Sequence, residues 1–159
     1  MKAADPNAKL LIGGLARGGQ NSNPQYPQKL LAAGALNNFD IMNYHTYDKK
    51  EAITNQFNGI KAAVGGKPIW ITEIGFSSEG GEDTQADYMK DILPHLINLG
   101  AQRVFWYTLA DVPRDDTSFC KYGLVYIPGK QCVGSSAGNT TGGDLKTKKS
   151  FEAFKSLIQ

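Results

Sequence analysis

Four short apolar runs, residues 9–15, 39–45, 68–74 and 103–109, recur along this chain at intervals of roughly 30 residues, the length of one strand–helix unit. Helical patterns fill the gaps. Residues 26–36 carry Leu30, Leu31 and Ala33 on one side. Residues 49–64 place Ile53, Phe57, Ile60 and Val64 on a single face and stop at Gly65-Gly66. Residues 83–99 follow an Asp83-Thr84 cap, carry Tyr88, Ile92, Leu96 and Leu99, and contain Pro94, which is expected to kink the helix. Residues 150–158 form a last helix that turns Phe151, Phe154 and Leu157 or Ile158 inward. The order β-α-β-α-β-α-β-α calls for an α/β fold with a parallel sheet, because a crossover helix must return the chain before each new strand. The 159 residues suffice for one domain with its own core, and the expected domain spans residues 1–159. Long connections follow the first strand (16–24) and the last (110–149), the latter rich in Gly, Ser and Thr.

The formal charge of +2 argues against nucleic acid or a membrane surface as partner. No apolar run is long enough to span a bilayer. Met1 to Pro6 contain no hydrophobic stretch and do not read as a signal peptide. Cys120 and Cys132 flank two apolar arms around Pro128-Gly129, a hairpin pattern whose ends a disulfide would join. That bridge would favour an extracellular or periplasmic compartment; two independent thiols are the equal alternative. Asn139-Thr140-Thr141 matches a glycosylation acceptor, a triplet common by chance. Neither cysteines nor histidines show ligand spacing, so no metal or organic cofactor is expected.

The third run, Pro68-Ile-Trp-Ile-Thr-Glu-Ile74, carries one carboxylate, Glu73, at its far end. A charge there is costly unless it is used or paired, and strand carboxyl ends are where barrel chemistry sits. Strict alternation sorts the neighbours. Ile41, Asn43, His45 and Tyr47 share one face, as do Ile69, Ile71 and Glu73, with Trp70 and Thr72 on the other. In the fourth run Val104, Trp106 and Thr108 oppose Phe105, Tyr107 and Leu109. Asn43, His45, Tyr47, Glu73 and Trp106 are therefore expected at one mouth. An indole stacks on the apolar face of a sugar while carboxylate, imidazole and phenol handle hydroxyls, so a carbohydrate is the expected partner. Singly, each has a plainer role as packing or an internal ion pair.

These residues resemble the carboxyl-terminal half of clan A glycoside hydrolases, especially families 5 and 39. Ile71-Thr-Glu-Ile-Gly75 is similar to the seventh-strand motif, which would make Glu73 the nucleophile. His45-Thr46-Tyr47 is similar to the motif closing the sixth strand, where the tyrosine positions the nucleophile and the histidine contacts substrate. Val104-Phe-Trp-Tyr107 resembles the eighth strand, whose tryptophan forms a sugar platform; Asn43 would join it in substrate binding. Asp5 to Gly14 are similar to the lead into the fifth strand. Tyr122-Gly-Leu-Val125 and Lys149 to Phe154 resemble the run into the last helix.

The resemblance implies half of a TIM barrel, (βα)₄ corresponding to strands five to eight, and a retaining β-glycosidase or endo-glycanase activity in the completed barrel. A whole barrel takes about 250 residues. The acid/base carboxyl that the family keeps on strand four is outside this half, and retaining hydrolysis needs two carboxyl groups about 5 to 5.5 Å apart. The chain is thus a piece awaiting its amino-terminal half, a half-barrel that closes by pairing with itself as a homodimer, or a non-catalytic relic that only binds carbohydrate or assembles. In a two-fold pairing Asp111 of the partner copy would reach the acid/base position; otherwise it is a loop carboxylate pairing with Arg114. A phosphate-binding barrel enzyme is a weaker alternative, since Gly13-Gly14 and Gly18-Gly19 follow the wrong strand for the usual phosphate site.

Overall fold

The structure, a computed structural model, describes residues 3–17, 26–111, 120–128 and 144–159. A four-stranded sheet in the order β1-β2-β3-β4 is built from Leu15–Arg17, Met42–Thr46, Ile69–Ile74 and Arg103–Trp106. The β1–β2 and β2–β3 ladders are parallel, as the alternation of strands and helices requires. Four helices, α1 (Tyr26–Ala32), α2 (Lys50–Ala63), α3 (Glu82–Leu99) and α4 (Lys149–Leu157), follow the strands. A short antiparallel pair, β5 (Val125–Tyr126) with β6 (Lys146–Thr147), precedes α4. The chain divides into two compact units, Met1–Ile74 with His95–Phe105, and Gly75–Pro94 with Trp106–Gln159.

In the first unit β2 turns Met42, Tyr44 and Thr46 into the core, and α2 covers it with Ile53, Phe57, Ile60 and Val64, all almost fully buried. The 3.6-residue spacing of that apolar stripe is the reason. The first strand departs from expectation. Residues 9–15 run beside β2 through a single bridge, Leu11 to Ile41, and the regular ladder lies later, at Leu15 to Tyr44 and onward.

In the second unit α3 buries Gln85, Ala86, Met89, Ile92 and Leu93, and its helix runs on through Pro94. The loop after β4 continues as a parallel bridge from Ala110 to Val125. The hairpin expected around Pro128-Gly129 is not the arrangement of β5, whose antiparallel partner is β6; the second arm, with Cys132, lies outside the described residues. Cys120 is buried and disulfide-bonded. The last helix also turns differently: Ser150 and Ala153 are buried, while Leu157 and Ile158 are exposed. Ser150 is drawn in because its hydroxyl donates to the buried Gln85 side chain at 2.7 Å.

Candidate active site

Glu73 stands next to last in β3, whose apolar residues bury one side of the strand. The residues that do so are Ile69, Ile71 and Ile74, which breaks the two-residue alternation. The register shows why: Tyr44 pairs with Ile71, but the next residue, His45, pairs with Glu73. Thr72 is the extra residue of a β-bulge, a device that re-aims side chains beside functional sites. Glu73 therefore does not share a face with Ile69 and Ile71, as strict alternation predicts. Thr72 and Glu73 both stay on the less buried side, with Trp70.

There Asn43, His45 and Tyr47 from β2 and its end meet them. The Tyr47 hydroxyl donates to Glu73 Oε2 at 2.9 Å, and His45 Nδ1 lies 3.3 Å from the same oxygen. On the far side of the ring, His45 Nε2 is 2.8 Å from Thr72 Oγ1, which donates to Asn43 Oδ1 at 2.6 Å. Asn43 is only 7% exposed, so it backs the cluster from below. The Glu73 side chain is 38% exposed and His45 18%, which leaves the carboxylate open to an incoming molecule while the imidazole is largely enclosed. The backbone of Gly14 closes against the His45 ring so tightly that a Cβ there would overlap Nε2 and Cε1. Thr72 and Gly14 are the two members that sequence reasoning missed.

Trp106 and Asp111 belong to the second unit. The Trp106 indole N–H donates to the Tyr122 carbonyl at 3.1 Å, and its ring lies 6.4 Å from that of Tyr88, itself stacked on Phe76 at 4.6 Å. Burial pushes the Tyr122 phenol above its ordinary pKa. Asp111 Oδ1 accepts from Lys148 Nζ at 2.7 Å and from the Gly123 N–H at 2.8 Å. Lys148, whose side chain is 3% exposed, also donates to Ser78 Oγ at 3.0 Å. Arg114, the partner expected for Asp111, lies outside the described residues. At the surface, the Asp83 carboxylate hydrogen-bonded to Lys149 raises that ammonium above its ordinary value. Among the described residues no cluster of histidine, cysteine and carboxylate side chains has the geometry of a metal site.

Several solved glycosidase and glycosyltransferase structures share the fold. The AHE enzyme from Alicyclobacillus herbarius matches with a TM-score of 0.58 at 12% identity, over 99% of this chain and 52% of that one. A family 17 β-1,3-glucanosyltransferase from Rhizomucor miehei matches with a TM-score of 0.54 at 16% identity, over 83% and 68%. β-Glucosidase 2 from Trichoderma reesei matches with a TM-score of 0.51 at 18% identity, over 67% and 24%. The chain thus spans between about a quarter and two-thirds of the length of these structures. No curated protein sequence matches it significantly. A sequence profile, however, describing the glycosyl hydrolase catalytic core, matches residues 3–125, well over half of the chain. The chain belongs to the glycosyl hydrolase catalytic core family.

Proposed function

We propose that this chain is a (βα)₄ half of a TIM barrel carrying the nucleophile of a retaining β-glycosidase or endo-glycanase. The observation that carries the reading is the hydrogen bond from Tyr47 to Oε2 of Glu73 at 2.9 Å, with His45 Nδ1 3.3 Å from the same oxygen. With Oε2 so held, Oε1 is the atom free to attack an anomeric carbon, forming a glycosyl-enzyme that water then hydrolyses. Tyr47 stabilises the carboxylate as it is regenerated. His45 and Trp106 are assigned to the sugar, and Asn43, buried behind Thr72, to holding the cluster.

The leaving oxygen needs a proton from a second carboxyl. An amino-terminal half or a second copy of the chain would supply it, and Asp111 of a second copy is a candidate. Its hydrogen bonds to Lys148 and Gly123 favour a structural role for that residue instead. They also keep the second reading alive, a half-barrel that binds β-linked carbohydrate without turnover.

Purified chain, with and without Glu73→Gln, assayed on aryl β-glycosides and β-glycans tests the proposal. Turnover that falls by roughly 10⁴-fold in the variant is the expected result. Sugar binding equal in both forms, with no turnover in either, would favour a piece that awaits its other half or the binding reading.

A further inference from the structure

We infer that Thr72 is a positioning residue that sets which nitrogen of His45 carries the ring's fixed proton. The inference deepens the reading of Glu73 as nucleophile and rests on it only for its consequence in turnover. A threonine hydroxyl has one proton to give. Thr72 gives it to Asn43 Oδ1 at 2.6 Å, a short bond to a side chain that is itself buried. The Thr72 oxygen can then only accept from His45 Nε2, 2.8 Å away, so Nε2 carries a hydrogen. The other ring nitrogen, Nδ1, lies 3.3 Å from Glu73 Oε2. Among the described residues, the Tyr47 hydroxyl donates to that same oxygen. Asn43, Thr72 and His45 therefore form a directed chain that ends in a proton position beside the attacking carboxyl group. The β3 bulge adds Glu73 to this face, because strict alternation keeps Thr72 on the side of Trp70 and turns Glu73 away.

Nitrogen-15 NMR of the histidine rings in the full 159-residue chain tests this. There are two histidines, and His95 is an internal control, with Nε2 2.7 Å from Thr54 Oγ1, whose hydroxyl donates to the Lys50 carbonyl at 2.8 Å. The expected neutral His45 ring has a protonated, pyrrole-type Nε2 and a pyridine-type Nδ1 that alone shifts on titration. Thr72→Ser keeps this pattern. Thr72→Val lets the ring populate both tautomers while His95 stays unchanged, and lowers kcat about tenfold at constant KM, the scale of one lost hydrogen bond. A pyridine-type Nε2 in the wild-type chain overturns the inference, as does a Thr72→Val spectrum identical to wild type. If Thr72→Val fails to fold, the wild-type spectrum decides alone. The tautomer is read from the ring without turnover, so the role of Thr72 stands or falls separately from the hydrolase reading.

Discussion

Gly14 earns its place by what it lacks: the His45 ring fills the space where a side chain would begin. Gly14→Ala would drive the ring off Thr72 and Glu73, since a rigid backbone gives less than a side chain. The expected loss is about 1–3 kcal/mol of stability, typical of overpacking, with the His45 ring resonances shifted and those of His95 unmoved. Tyr122 yields a second expectation. A phenol whose folded pKa is raised above 10.0 holds its proton more firmly folded than unfolded. Its contribution is complete below pH 10 and is lost as pH rises through the folded value. Alkaline melts of Tyr122→Phe should therefore fall less steeply than wild type above that pH. The meeting of Glu73, His45 and Tyr47 was legible in the sequence because all three fall at the carboxyl ends of neighbouring strands. Thr72 was not, since strict alternation sets it opposite Glu73, and only the register shows both beside Asn43 and His45. Gly14 was not, because an empty position acquires meaning only from a neighbour on another strand.

The start of α4 shows the same limit at the scale of elements. Lys148 sits in a run of lysines that reads as a solvated face, yet its ammonium is buried between Asp111 and Ser78. It ties the loop after β4, the turn before α3 and the start of α4 into one piece. Removing one partner of a buried pair leaves the other charge without compensation. Lys148→Met should cost about 3 kcal/mol in denaturant melts, and Asp111→Asn less, because an amide oxygen still accepts from Gly123. If turnover is present and Asp111→Asn abolishes it without loss of stability, the structural role is wrong and the trans acid is right. Helix α2 matched its expected span to within a residue at each end, since packing and propensity agree there. Helix α4 half-buries Phe151 and Phe154 but leaves Leu157 and Ile158 exposed, while Ser150 is buried with a hydrogen bond to Gln85. Register decided β1: its ladder begins only where Leu15 meets Tyr44.

Among the described residues the sheet ends in two edge strands, β1 and β4, and parallel sheets are normally covered on both faces. Phe105 on β4 is 46% exposed and packs beside Trp70, over which Arg103 is stacked at 5.0 Å. Sedimentation of the purified chain should therefore give a species of twice the monomer mass, and Phe105→Asp should shift it toward monomer. A wild-type chain that stays monomeric at high concentration would exclude self-closure. Lys148 carries a last consequence, for chemical reactivity. Acylating reagents consume lysines in order of access, and this amine is shielded by the acceptors that surround it. Its modification becomes a clock for how often the second unit breathes open, ticking at the rate of the protein's own motion rather than that of the reagent.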